Sequence, residues 1–278
     1  MNEATLLELL ALAREAAAAG AKEMEQRSRH LTGVRTQYAL KASSIDLVTD
    51  CDRASEAAIL PILRRSGLPI VAEESAQGIP DAEAIWFVDP LDGTTNFAHG
   101  HPFHCASVGL AIKGAPRLGV VHAPMLGVVW SAVSDLRGTR RDLFRNKEQW
   151  LAVSEVSELE QTLLATGFPI DRRESTDDNT GAFGALLKRA HGVLRCGSAA
   201  LDLALVADGT FDAYWERKLG PWDVAAGAAL VLAAGGKVTD PWGRPILVPE
   251  GRVLASNGRV HGGVLGAIAK HQPEPPPR

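Results

Sequence analysis

Residues 84–96 constrain this chain more than any other stretch: an apolar run, Ala84-Ile-Trp-Phe-Val88, breaks off into Asp89-Pro90-Leu91-Asp92-Gly93-Thr94-Thr95-Asn96. The run is too short for a helix and reads as a buried strand that delivers acids at its C-terminal end. A second apolar run, Pro69-Ile-Val-Ala72, ends in Glu73-Glu74 in the same way. Two buried strands that both end in carboxylates make an active-site pattern. Pro90 fixes its own φ and discourages Asp89 from helical geometry, so Asp89 and Asp92 can share one bend and point at one ion. Oxygen ligands of this kind suit a hard divalent cation such as Mg²⁺. Gly93 and the two threonines suit phosphate, because N–H groups at a helix start face outward and glycine permits close approach. A bare Asp-x-x-Asp-Gly is equally an ordinary polar turn; the eight-residue string is far more specific.

Around this segment helices and strands alternate. Apolar spacing predicts a long amphipathic helix from Glu3 to about Arg29 and a second from about Asp52 to Arg65, stopped by Gly67. Strands are expected at 106–112, 118–122 and 128–133, and again at 211–215, 237–239 and 253–255. Helical patterns cover 180–189, 198–207 and 223–234. The expected organisation is one catalytic domain over 1–278 with two lobes, about 1–145 and 146–270. The Pro-rich residues 271–278 are expected to be a disordered tail.

Bulk properties narrow the classes. The 278 residues carry 29 basic and 33 acidic side chains, a formal charge of −4, which argues against an extended nucleic-acid footprint. No run reaches the roughly 18 to 20 apolar residues of a membrane span, and the N-terminus lacks the basic-then-apolar order of a signal peptide. Cys51, Cys105 and Cys196 are odd in number and widely spaced, which argues against a disulfide framework and for a reducing cytoplasm. His99, His101, His104 and Cys105 crowd together but match no standard zinc spacing. Arg137, Arg140, Arg141, Arg145 and Lys147 read as a solvated loop face.

Five segments, in order, resemble the inositol monophosphatase family within the lithium-sensitive, metal-dependent sugar phosphatases. They are Lys41 to Asp52, Ala72-Glu73-Glu74-Ser75, Asp89 to Asn96, Gly197-Ser198-Ala199-Ala200-Leu201-Asp202-Leu203, and Pro221-Trp222-Asp223-Val224-Ala225-Ala226-Gly227. The resemblance implies an α/β fold, a layered α-β-α-β-α sandwich. It implies that Glu73, Asp89 and the Leu91 carbonyl hold a first Mg²⁺, that Asp89, Asp92 and Asp223 hold a second, and that Glu73 with waters holds a looser third. Asp52 and Thr94 match the pair that orients the attacking water, with Glu73 in the catalytic set. Gly93 and Thr94 match the phosphate cradle, and Lys41 a basic residue near it. Glu216 matches a contact to a substrate hydroxyl, and Gly197 and Ala199 match positions lining the substrate ring.

The activity so implied is hydrolysis of a small phosphorylated polyol, myo-inositol 1-phosphate first, with Li⁺ inhibition and, as in many relatives, a homodimer. Histidinol phosphate, fructose 1,6-bisphosphate and a 3′-phosphoadenosine nucleotide are rival substrates. The expected step is in-line attack by a metal-activated water, since no Cys or His sits in a nucleophile motif. A reading from another class is a regulatory protein docking on transcription machinery, motivated by the basic stretch. Two departures from the family stand out. Where relatives often have a Gly-Ala-Phe-Leu-Asn-Gly-like hairpin, this chain reads Thr139-Arg-Arg-Asp-Leu-Phe-Arg-Asn-Lys-Glu148. Where they often carry an Arg three residues before the Gly-Ser-Ala-Ala segment, it has Leu194, with Arg195 next to it.

Overall fold

In the computed structural model, which describes residues 1–28, 38–40 and 47–277, the chain opens with α1 (Glu3–Ser28), whose Leu6, Leu9, Leu10, Ala13, Ala17 and Met24 are buried. A short ladder of β1 (Tyr38–Leu40) with β2 (Leu47–Thr49) leads into α2 (Asp50–Leu63). Thr49 caps α2 by accepting from Cys51 N, while Asp52 reaches back to accept from Thr49 N, so a capping box satisfies N–H groups at the helix start. A 3₁₀ turn then ends at Gly67, whose φ of 70° is the left-handed geometry the sequence leads one to expect there.

A seven-stranded sheet follows in chain order: β3 (Ile70–Ala72), β4 (Ala84–Asp92), β5 (Cys105–Ile112), β6 (Ala115–Ala123), β7 (Val128–Val133), β8 (Thr139–Asp142) and β9 (Lys147–Trp150). Only the β3–β4 pair is parallel. A five-stranded sheet has the order β11-β10-β12-β14-β13. Its strands are β10 (Leu163–Thr166), β11 (Gly192–Leu194), β12 (Ala213–Glu216), β13 (Lys237–Thr239) and β14 (Val253–Ser256). Between strands run α3 (Thr94–Ala98), α4 (Thr180–Leu187), α5 (Ala199–Ala207) and α6 (Pro221–Ala233), and α7 (His261–Ile268) follows β14.

Three apolar clusters define five layers. α1 and α2 bury their faces on one side of the larger sheet, around Trp86, Val108, Leu118 and Val120. α5 and α6 fill the space between the two sheets, with Leu201, Leu203, Leu230, Val121, Trp130 and Tyr214 in one cluster. α4 and α7 cover the far side of the smaller sheet around Trp215 and Leu254. This is the α-β-α-β-α arrangement that the family resemblance implies.

The position of α6 depends on two missing side chains. It crosses β5 and β6 at Gly109 and Gly119, where a Cβ on Gly109 would stand 2.5 Å from Ala226 N and one on Gly119 would run into the Ala226 carbonyl oxygen. The helix therefore lies flat on the sheet. Ser107 Oγ donates to Trp222 O at 3.2 Å, fixing its first turn against β5.

Several details differ from the sequence reading. β4 does not stop at Val88 but continues to Asp92, with Asp89 opposite Ser107 and Asp92 opposite Cys105 around a bulge at Pro90-Leu91. Pro90, with no N–H to give, is accommodated in that irregularity. The basic stretch is a hairpin, β8 with β9, rather than a loop. Arg140 pairs with Asp208 at 3.3 Å and stacks over Trp130, Arg137 lies over Trp150, and the Asp142 carboxylate accepts from Arg145 N at 2.8 Å in the turn. β10, β11 and α7 fall where no element is read from the sequence. The Pro-rich tail, expected to be disordered, packs along the Pro241–Arg244 turn, where Trp242 Nε1 donates to Pro273 O and Arg244 to Pro276 O. Among the described residues no helix is long and apolar enough to cross a membrane.

Candidate metal centre and active site

The bulge that ends β4 turns Asp89 and Asp92 toward the first turn of α6, and Asp223 meets them there: oxygens of the three carboxylates lie within 4.8 Å of one another. Each acid is held from behind. Asp89 Oδ1 accepts from Leu91 N at 2.9 Å. Asp92 Oδ2 accepts from Ser198 Oγ and from Ala200 N, both at 2.7 Å. Asp223 Oδ2 accepts from Gly220 N at 2.7 Å. These donors fix the carboxylate planes and leave a second oxygen of each acid for the shared space.

The electrostatics match that crowding. Burial first, then the charges of Glu73, Asp92 and Asp223, push Asp89 well above the usual carboxylate range. Asp223 is raised well above it by burial and then by Asp92 and Glu73. Asp92 is pushed up to about 6 by burial, against the bonds from Ser198 and Ala200 that favour its charged form. Buried acids facing one another with raised pKa values are a donor set that lacks its counter-charge. An all-oxygen set of this kind could hold a hard divalent cation.

Glu73, at the end of β3, is tied to β4 by its N–H, which donates to Val88 O at 3.1 Å. Its charge reaches Asp89 and Asp223, although it stands outside the close trio. Asp52, in the first turn of α2, is fully buried; Thr94 Oγ1 donates to Asp52 Oδ1 at 3.0 Å and lies 3.1 Å from Leu91 O. Ser55 Oγ, one turn further along α2, donates to Pro90 O at 2.6 Å and pins the bulge. The structure thus brings Asp52, Leu91 and Thr94 together beside the acids. Gly93, φ 93°, caps α3 where a Cβ would stand 2.9 Å from Phe103 O. Lys41 lies outside the described residues.

The opposite wall comes from the smaller sheet. Gly197, φ 89°, and the N-cap Ser198 open α5, with Ala199 as its first residue. Asn96 Nδ2 donates to Phe103 O at 2.7 Å and Cys196 O at 2.9 Å, joining the acidic segment to this loop. Glu216, at the end of β12, is buried and accepts from Tyr214 OH. Burial raises it to about 7, while the Tyr214 bond and the charge of Arg195 work the other way. Its carboxylate occupies the space that a Cβ on Gly167 would fill.

The histidine cluster does not converge. His104 is buried with its ring edge-on to Phe97, centroids 5.2 Å apart, and Cys105 Sγ lies 3.7 Å from Ser198 Oγ. Among the described residues the trio of aspartates is the group whose ligand atoms meet. Sequence reasoning gave no role to the supports around the acids: Ser198 bonds Asp92 and Tyr214 bonds Glu216, Ser55 pins the bulge at Pro90, Asn96 ties the acidic segment to the Cys196 loop, and Gly167 leaves room for the Glu216 carboxylate. Two had a local signal. Ser198 precedes a helical pattern as an N-cap should, and Tyr214 shares a strand face with Glu216 two residues on.

A profile of the Inositol monophosphatase family matches residues 5–273. An Inositol-1-monophosphatase of Synechocystis sp. is 43% identical over 242 residues, covering 86% of this chain and 82% of that protein. The Nus factor SuhB of Salmonella typhimurium is 38% identical over 231 residues, covering 81% and 84%. The solved structure of an inositol monophosphatase from Anabaena (Nostoc) superposes with a TM-score of 0.83 at 41% identity, over 97% of this chain and 98% of that one.

Proposed function

The chain belongs to the inositol monophosphatase family and is a phosphatase, and from that premise we propose that it hydrolyses the phosphate ester of a small polyol, myo-inositol 1-phosphate first, at the Asp89–Asp92–Asp223 centre. The convergence of these three acids, two buried on β4 and one half-buried on α6, carries the reading. The cation they fit is Mg²⁺: Glu73, Asp89 and the Leu91 carbonyl would hold one ion, Asp89, Asp92 and Asp223 a second, and Glu73 with waters a looser third. Bound there, Mg²⁺ neutralises phosphate charge and acidifies water. Li⁺ would compete at the second position.

The chain's own residues supply the rest. Asp52 accepts the Thr94 hydroxyl proton, so the lone pairs of Thr94 Oγ1 can take a hydrogen bond from the attacking water and aim it. As the water oxygen bonds to phosphorus, its proton passes to Thr94 Oγ1 while the threonine proton moves toward Asp52 Oδ1; the ester P–O bond breaks and the departing polyol oxygen takes a proton from water. Gly93 and Thr94 N–H groups, at the turn where β4 gives way to α3, would receive phosphate oxygens, with Lys41 as a nearby positive charge. Gly197 and Ala199 would line the ring of the substrate, and the Glu216 carboxylate would accept from one of its hydroxyls. Three free thiols suit a reducing cytoplasm, and the family resemblance suits a homodimer.

A regulatory role on transcription machinery draws on the likeness to Nus factors, yet two cations of the basic hairpin are spent inside the chain, Arg140 on Asp208 and Arg145 on Asp142. Turnover across a panel of phosphomonoesters tests the proposal. Inositol 1-phosphate is expected to show the highest kcat/KM, above histidinol phosphate, fructose 1,6-bisphosphate and 3′-phosphoadenosine 5′-phosphate. A preference of tenfold or more for any of those three would reassign the substrate.

A further inference from the structure

Relatives often place an arginine three residues before the Gly-Ser-Ala-Ala segment, and here that position, Leu194, is a half-exposed leucine at the end of β11. The neighbouring Arg195 takes another course. Gly197 is in the left-handed region, and a Cβ on it would stand 2.7 Å from Arg195 Nη1 and 3.1 Å from Asn96 Nδ2. The guanidinium therefore folds back over the bare glycine, beside the amide that ends the acidic segment.

Burial raises both Glu216 and Asp202 above the usual carboxylate range, and from its place over Gly197 the Arg195 charge works against that rise at each. Yet among the described residues Arg195 makes no hydrogen bond and no ion pair. An arginine and a buried carboxylate that sense each other without touching leave a gap between a five-donor fork and an acceptor-only group. Asp202 adds to the demand for a donor: it is buried, and its Oδ1 has no hydrogen-bond partner. A hydroxyl can donate to the carboxylate and accept from the guanidinium at once, and two adjacent hydroxyls can do so without strain.

We propose that Arg195 is a specificity-determining residue of this site, donating to a hydroxyl oxygen of the substrate at the end remote from the phosphate while Glu216 accepts from that hydroxyl or its neighbour. The ligand class is a phosphorylated polyol with vicinal hydroxyls. The inference rests on the polyol-phosphate reading above and deepens it, because it assigns the grip on the polyol to a residue the family pattern does not supply.

Steady-state kinetics with two esters test it: myo-inositol 1-phosphate, which carries vicinal hydroxyls, and p-nitrophenyl phosphate, which carries none. Arg195→Ala is expected to raise KM for the inositol ester about tenfold or more, the effect of losing a charge-assisted hydrogen bond, with kcat within about twofold. KM for p-nitrophenyl phosphate should stay within about twofold. Arg195→Lys should recover part of the loss, since it keeps a donor but not the fork, and Arg173→Ala, which removes an exposed surface arginine, should change neither ester. Equal KM changes for the two esters, or none for the inositol ester, would overturn the assignment while leaving the phosphatase reading intact. Failure of the wild-type protein to hydrolyse either ester would remove that reading and the assignment with it.

Discussion

Asp223→Asn is expected to lower Mg²⁺-dependent phosphate release by roughly three orders of magnitude or more while leaving the protein folded. The loss follows from geometry. Asp223 is the one member of the trio that comes from α6, and without its charge the other two acids can hold a cation only from the β4 side. The preserved fold follows from the bonds around it. Asp223 Oδ2 serves as acceptor for Gly220 N, and an asparagine carbonyl oxygen can accept the same bond, so the start of α6 keeps its cap. Removing a half-buried charge that faces Asp92 and Glu73 also relieves repulsion in the metal-free protein. Its thermal midpoint should therefore match or exceed that of wild type. Activity within about tenfold of wild type would show that Asp223 is not a ligand of an essential metal.

The second large effect is one of pH on the metal-free protein. Asp92 is raised to about 6 in the folded state, against an ordinary carboxylate value of about 4 in the unfolded chain. Between those values the folded state holds a proton that the unfolded state has lost. The stability this proton contributes is complete below about pH 4 and gone above about pH 6, a change of roughly 3 kcal/mol for a shift of about two units. Buried His104, His122 and His261 act in the opposite sense: each is lowered to about 4 by burial, so its contribution is present above about 6.5 and lost on acidification. A melting curve of wild type against pH mixes the two. In the difference between wild type and Asp92→Asn the histidines cancel, and what remains is Asp92 together with the part of the Asp89 and Asp223 shifts that its charge causes, which acts in the same direction. Asp92→Asn is expected to melt several degrees above wild type at pH 8 without metal, with the gap closing toward pH 4. Adding Mg²⁺ at pH 8 should reverse the order, since wild type alone gains by binding it. A gap independent of pH would mean that Asp92 is not a strained buried acid.

How much of this is written locally in the chain depends on distance along it. Asp89, Asp92, Gly93 and Thr94 are legible because they share one segment whose residue types already suit a cation and a phosphate. Asp223 is not legible from its own surroundings, where an acid in the first turn of a helix is ordinary macrodipole chemistry. Its convergence with Asp89 depends on α6 lying against β5 and β6, and that depends on Gly109 and Gly119, which in sequence are two glycines in strands. The resemblance to a family supplied what periodicity did not. The same limit hid β10 and β11: Leu163–Thr166 and Gly192–Leu194 are too short to show a period, and they become strands by pairing with β12 and with each other. α7 carries Gly262, Gly263 and Gly266, a composition that disfavours helix, and is held by packing on α4 and β14. The basic residues 137–147 are a mixed case: Arg137, Arg141, Arg145 and Lys147 are exposed as their charge suggests, but they belong to a hairpin rather than a loop, and Arg140 turns inward to Asp208 and Trp130.

Asp89, Asp92 and Asp223 are expected to form a cation site on which phosphate release depends. Adding Mg²⁺ stepwise to metal-stripped protein, with phosphate release from myo-inositol 1-phosphate as the readout, tests it most directly. The predicted result is no release above background before addition and a saturable rise with Mg²⁺ that Asp223→Asn abolishes. Undiminished release from the stripped protein in excess chelator would contradict it.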